Sequence, residues 1–420
     1  MNLLKIYKSP AVLLVCVALG GLLGVVMGPG AKILEPFGNL FLNLMFMILV
    51  PLVFFSISAS ISSMKSKSRL GKIIVSVLIV FVFTSIIIGL LGYAGALIFN
   101  PTQGIDTTLI KSLAAQSGDA QNSEYVAPLQ QAVNTFTVTD FSLLLSKKNM
   151  LQVIVFAIIF GFAASSAGEK GRPVARFLES ASAVMIKIVD RIMYYAPVGL
   201  FCFFASIIGQ LGSQILSGYL RVFVLYICIA AVYFFGFYTF YAFLAGGMPK
   251  VKLFWANALK PSVTALATCS SAACIPVNIE STQKMGVPKD ISELVCPLGA
   301  NIHKDGSVLG GMMKVTFLFG LFGRDMTSLG AAASMILVSF LVGAVMAAIP
   351  SGGFIAEMLI LSIFGFPSNL LPIIAVISTI IDAPATLLNS TGNTVSAMMV
   401  TRLVERGTVA EAEAESEGAV

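Results

Sequence analysis

The sequence predicts an all-α membrane protein of eight transmembrane helices plus two re-entrant helical hairpins. Three observations carry that reading. The 420 residues are 57% hydrophobic and only 11% charged, with a mean hydropathy of +0.93. A soluble domain is about half apolar and a quarter charged. The apolar runs are long and numerous, which excludes a single anchor and a barrel of short alternating strands. After residue 250 several segments are too polar or too interrupted to cross cleanly, and irregular backbone survives at membrane depth only when buried in protein or lining a cavity.

The N-terminal MNLLKIYKSP resembles a signal-peptide n-region, but the apolar run behind it continues too far and no small-residue cleavage site closes it. A retained first span is therefore expected at about Ala11 to Met27, closed by GPG. The second, about Phe37 to Ile61, contains LVPLVF, and its Pro51 implies a kink tolerated by packing. The basic loop KSKSRLGK is cytoplasmic by the positive-inside rule, which also places the Lys5/Lys8 terminus inside. The third span is about Ile73 to Ile98. Residues 100 to 138 are polar, slightly acidic and poor in lysine, an extracytoplasmic loop. Lys147 and Lys148 precede the fourth span, Met150 to Ala167, and EKGRPVAR follows it inside. A fifth segment, about Phe177 to Leu211, carries Lys187, Asp190 and Arg191 near the inner interface. GSQILSG leads to a sixth, about Val222 to Leu244, followed by basic GGMPKVKLF.

The remainder is irregular. Ala256 to Ser281 holds small residues, two prolines and a Ser-Ser pair, with cytoplasmic-type charge at both ends (Lys260, Lys284, Lys289). About Glu293 to Phe322 is interrupted by NIHKDGS, and about Ser334 to Phe366 by IPSGG. Leu370 to Val404 is the last run, ending in Arg402, Glu405, Arg406 and an acidic tail. If the two dips enter from opposite faces, both termini are cytoplasmic and the chain belongs in a bacterial-type inner membrane. Broken segments in corresponding places point to a transported substrate.

The polar chemistry concentrates in Ile381 to Val400. Asp382, Thr386, Asn389 and Asn393 are spaced by four, three and four residues and share one helix face. Such groups are costly inside an apolar helix and usually line a ligand or ion path; a polar seam that only joins helices is the alternative. The charge of +6 comes from short loops and forms no nucleic-acid patch. The six cysteines lack metal-ligand spacing and are read as buried reduced thiols. One histidine leaves little for a metal site or a hydrolase triad, and no cofactor is expected. Ser270 and Ser271 could be nucleophiles, but no acid/base set accompanies them, so the chain is not expected to be an enzyme. A channel would want a continuous polar lining or a ring of charge.

LVPLVF, Thr84-Ser85, MYYAPVGLF, TCSSAACIPVN, PLGANIHKDGS and IDAPATLLNSTGN occur in an order that resembles the dicarboxylate/amino-acid:cation symporters over nearly the whole chain. The resemblance implies a glutamate-transporter-homologue (elevator) fold and a homotrimer among membrane lipids. The expected division is scaffold at 1–70 and 139–215, a transport-domain span at 71–100, a loop at 101–138, the transport core at 216–406 and a cytoplasmic tail at 407–420. One hairpin tip is then Ser270-Ser271. The other lies near Ile349-Pro350-Ser351-Gly352-Gly353, where glycines suit a lid.

Carried over residue by residue, Asp382 corresponds to the carboxylate that takes a substrate ammonium. Asn389 corresponds to the group holding its α-carboxylate, with Thr386, Ser307, Ser270, Ser271, Ile349 and Gly352 as further contacts. Ala385 stands where carriers of acidic amino acids have arginine, and Cys269 occupies the alternative arginine position. A neutral, small or polar L-amino acid is therefore the expected substrate. Acidic amino acids or C4-dicarboxylates are the alternative, with Lys304 or water supplying the charge. At the cation sites Thr84, Ser85 and Asp305 are kept. Phe81 replaces a tyrosine, His303 a sodium-ligating asparagine and Asn393 an aspartate. No metal site is assigned. Lys304 is expected to reach into the emptied pocket and pair with Asp305 or Asp382 as a tethered substitute for the ion. Coupling to protons, or exchange without an ion, is expected over sodium, because a free histidine such as His303 titrates near neutrality.

Overall fold

The computed structural model describes residues 10–62, 68–103, 137–146, 149–192, 194–211, 213–346, 352–367 and 370–417. All regular structure among these residues is helical. Helix α1 (Pro10–Met27) passes through a tight 3-10 segment, Gly28–Leu34, into α2 (Glu35–Ser62). Helices α3 (Ser68–Phe99) and α4 (Met150–Ser166) follow, close to the expected third and fourth spans. Most of the loop expected at 100–138 lies outside the described residues.

The fifth segment departs from expectation. It is two helices, α5 (Arg172–Ile192) and α6 (Ala196–Leu211), separated by a turn at Tyr194-Tyr195. Pro197 supplies no N–H to a preceding turn and restricts the residue before it, so the helix restarts at Ala196. Helix α5 carries Arg172, Arg176, Glu179, Lys187 and Arg191 and is amphipathic rather than apolar throughout; it lies against α2.

The sixth span comprises α7 (Ser213–Ala231), a π-helical stretch Val232–Phe237, and the first half of α8 (Tyr238–Thr268). Helix α8 kinks at Gly246 and Gly247, and its second half is the first arm of the hairpin, which therefore begins earlier than the expected Ala256. GGMPKVKLF is helical from its third residue, so two glycines alone make the turn. Gly247 has φ 72° and ψ −163°, a conformation open essentially only to glycine. A methyl there would meet only Pro249 Cδ, at 3.8 Å, so the cost of a side chain is conformational. Gly247→Ala is expected to cost about 1–3 kcal/mol, seen as a lower midpoint of thermal unfolding in detergent. An unchanged midpoint would show that the kink relaxes.

Helix α9 (Ser271–Lys284) returns as the second arm. Then come α10 (Lys289–Ile302) and α11 (Asp305–Phe322), broken at His303-Lys304 as the sequence indicates. Helices α12 (Leu329–Val345) and α13 (Gly352–Ile363) flank the second expected tip, and α14 (Leu371–Glu417) is the last.

Helix α1 packs along α6, and α2 packs on α4, α5 and α6. Gly20 and Gly24, four residues apart, let α1 approach the α6 backbone at Phe201 and Ala205. The other group is built on α14, which touches α3 and α7 to α11 and receives α13. Four described stretches are long and apolar enough to cross a membrane by length and composition: Val15–Phe41, Lys72–Phe99, Leu216–Thr268 and Ile373–Glu405. Leu22, Val26, Ile98 and Phe99 leave most of their surface exposed, as expected where the solvent is lipid.

Candidate functional site

The interrupted helix sets the site. Helix α10 ends at Ile302, and His303 and Lys304 take extended φ/ψ (−118°, 103° and −139°, 73°) before α11 starts at Asp305. In an extended backbone successive side chains point to opposite sides. His303 and Lys304 therefore serve two different clusters.

On one side lies His303, 1% exposed. Its Nδ1 is 2.8 Å from Asn393 Oδ1. Its Nε2 is 2.7 Å from Thr84 Oγ1 and 3.1 Å from Asp305 Oδ1. Phe81 stacks on the ring, with centroids 4.1 Å apart and planes 10° from parallel. Ser85 Oγ donates to Asp305 Oδ1 at 3.1 Å, and Tyr233 Oη to Oδ2 at 2.9 Å. Tyr241 Oη lies 3.2 Å behind Tyr233 Oη. Oxygen atoms thus face both ring nitrogens, so a protonated ring can donate at each end. The imidazole fills the space among Thr84, Ser85, Asp305 and Asn393. The side chain beside Asp305 is that of His303; of the two carboxylates expected for Lys304, Asp382 is the one whose charge acts on it.

On the other side Lys304, 6% exposed, is within electrostatic reach of Asp382. Lys314 and Cys269 also reach that carboxylate. Asp382 is itself exposed, whereas Thr386, Asn389 and Asn393 on the same helix face are buried. Cys269 sits at the tip of the first hairpin with φ 45°, the one described non-glycine residue with positive φ. Ser270 caps α9, its Oγ accepting from Ala273 N at 3.3 Å, and Ser271 is buried as the first residue of that helix. Both arms are fastened to α14: Asn278 Nδ2 donates to Ser390 O at 3.1 Å, and Ser262 Oγ lies 3.0 Å from Thr391 Oγ1.

Between the two clusters Asn389 binds the start of α11. Ser307 N donates to Asn389 Oδ1 at 3.2 Å, and Asn389 Nδ2 donates to Ser307 Oγ at 3.1 Å. A helix N-terminus favours negative charge, so a carboxylate at this place meets a positive dipole end. Ala385 is buried, its backbone close to Gly306. Gly352 opens α13, while Ile349 and its neighbours to Ser351 lie outside the described residues.

Residues not singled out in the sequence complete the wall. Tyr226 Oη donates to Gly306 O at 2.8 Å and Tyr238 Oη to Leu388 O at 2.6 Å. Tyr233 and Tyr238 are placed by the π-helical stretch, a device that often marks functional sites. Lys314 and Glu357 form a buried ion pair at 3.3 Å. The available signals were four polar-tipped tyrosines on the sixth span and two charges inside apolar runs.

Residues 11–403 match the sodium:dicarboxylate symporter family. The chain is 29% identical over 400 residues to a proton/sodium-glutamate symport protein of Bacillus caldotenax, covering 91% of this chain and 92% of that protein. It is 28% identical over 400 residues to a proton/glutamate-aspartate symporter of Bacillus subtilis, covering 93% of each. It is 26% identical over 417 residues to a C4-dicarboxylate transport protein of the same organism, covering 95% and 94%. With that match spanning almost its whole length, and with apolar helices to place it in a membrane, the chain belongs to the sodium:dicarboxylate symporter family of transporters.

Proposed function

We propose that this protein carries an acidic amino acid or a C4-dicarboxylate across the bacterial inner membrane without a sodium requirement. The observation that carries the reading is the buried Lys304 facing Asp382. It supplies a fixed positive charge in a site whose family arginine position is Ala385. A buried anion needs such a partner. The relatives' names, which speak of glutamate, aspartate and C4-dicarboxylates, fit this reading better than the neutral amino acid expected from Ala385 and Cys269. A neutral substrate is the second reading, favoured by those two uncharged residues.

In this reading Asn389 and the N-terminus of α11 take one carboxylate, and Lys304 takes the other. Asp382 takes the ammonium when the substrate is an amino acid. His303 stands in for a sodium ion beside Asp305. The eight-crossing elevator arrangement, cytoplasmic termini and trimer belong to the same proposal. Calorimetric binding of L-aspartate, L-glutamate, succinate, L-alanine and L-serine, with and without sodium, tests it. The acids are expected to bind, equally with sodium or potassium. Lys304→Met is expected to weaken them by about a hundredfold, the effect of losing one partner of a buried charge pair. Binding of alanine or serine alone, unaffected by Lys304→Met, would install the second reading.

A further inference from the structure

Lys314 and Glu357 lie outside both clusters described above. Glu357 is 1% and Lys314 2% exposed. Lys314 Nζ lies 3.3 Å from Glu357 Oε1, and Ser378 Oγ donates to the same oxygen. Glu357 Oε2 has no hydrogen-bond partner among the described residues. A buried carboxylate oxygen left without a donor is costly, and a proton on it removes the cost. Gly353, one turn earlier on α13, puts no side chain between the helix and this carboxylate. A methyl there would stand 3.6 Å from Glu357 Oε1 and 3.2 Å from Ser378 Oγ.

The other groups around this carboxylate are few. Helix α13 packs on α2, α4, α11, α12 and α14. Helices α4 and α12 contain no ionisable side chain, and α2 has only Glu35, its first residue. Helix α11 brings Lys314, with Asp305 more than two turns away at its start, and α14 brings Ser378 and, one turn on, Asp382. Lys314 is thus paired with Glu357 on the hairpin arm, and its charge also acts on Asp382, one turn beyond Ser378 on α14.

We propose that Glu357 is the binding site of a coupling proton, and that Lys314 relays its arrival to the substrate cavity. This rests on the acidic-substrate reading. A solvent proton bonds to Glu357 Oε2, and no other bond breaks. The carboxylate loses its charge, and the Lys314 ammonium, no longer offset by Glu357, acts more fully on the region around Asp382. The cavity becomes more positive by the charge taken up, and an anion binds there more tightly. By reciprocity the anion raises proton affinity at Glu357 to the same extent. The transport core then carries in one proton with each anion, and the lid arm registers both.

The test is calorimetry of the full chain in detergent with L-aspartate and succinate, in two buffers of different ionisation enthalpy. The native chain is expected to take up about one proton per anion, with affinity rising about tenfold for each unit of pH decrease. Glu357→Gln is expected to bind both anions without proton uptake and without that pH slope. Should Glu357→Gln fail to fold, Lys314→Met combined with Glu357→Met replaces both partners by apolar groups of similar size, which buried pairs often tolerate. That variant is expected to lose the slope as well. If uptake survives in the variant that folds, Glu357 is not the site and only this proposal falls. If neither acid binds the native chain, the acidic-substrate reading falls and this proposal with it.

Discussion

Replacing Asp382 by alanine is expected to abolish binding of every α-amino acid while leaving succinate bound as well as before, or better. The carboxylate is exposed, yet it lies within electrostatic reach of Lys304, Lys314 and the hairpin tip at Cys269. Among the described residues it is the negative group best placed to meet a substrate ammonium, since Asp305 is enclosed by His303, Ser85 and Tyr233. A bound substrate covers Asp382, and removing one member of a charge pair so desolvated costs about 3–5 kcal/mol, so the loss for an amino acid is roughly a hundredfold or more. A dicarboxylate has no ammonium to lose, and without Asp382 it meets two lysines with less opposing charge. The two substrate types therefore move in opposite directions in one variant. Undiminished affinity for L-aspartate would place the ammonium elsewhere and undo the assignment of the site.

The site was partly legible before any coordinates. A four-three-four spacing is enough to put Thr386, Asn389 and Asn393 on one buried face, because helical periodicity is a local property. HKDG inside an apolar run is enough to break a helix there. What the spacing could not decide is which of His303 and Lys304 lies beside Asp305. Helical periodicity says nothing across an extended pair of residues, and the answer depends on the side of the backbone from which α3 approaches. The same limit hid Lys314 and Glu357. Each was visible as a charge in an apolar run, but 43 residues separate them and only the packing of α13 on α11 joins them. The tyrosines of the sixth span carry no local signal of a role, since a hydroxyl matters only when Asp305 or Gly306 is opposite. The break in the fifth span was legible in MYYAP through Pro197, but average hydropathy smoothed over it.

Changing His303 to asparagine and Asn393 to aspartate together is expected to create a sodium site in the place that the imidazole fills. In the native fold the imidazole lies between Asn393 Oδ1 on one side and Thr84 Oγ1 and Asp305 Oδ1 on the other, and Phe81 seals its face. A ring so placed excludes an ion by volume, and when protonated it also supplies the ion's charge. The double variant empties that volume and surrounds it with two carboxylates, two hydroxyls and an amide oxygen, the hard donors that alkali and alkaline-earth cations take. Without sodium those carboxylates stand unpaired in a buried site, so the variant should be less stable than the native chain by several kcal/mol, on the order of the cost of an uncompensated buried charge. Sodium at about a hundred times its dissociation constant restores roughly 2.7 kcal/mol by mass action. Thermal unfolding in sodium against potassium reads this directly: a rise in midpoint confined to sodium and to the variant. The single change His303→Asn should show the loss of stability with a weaker response to sodium, because only one carboxylate then faces the ion. A sodium response already present in the native chain would mean that the imidazole does not occupy the ion's place, and the account of a tethered cation would fail at its first step.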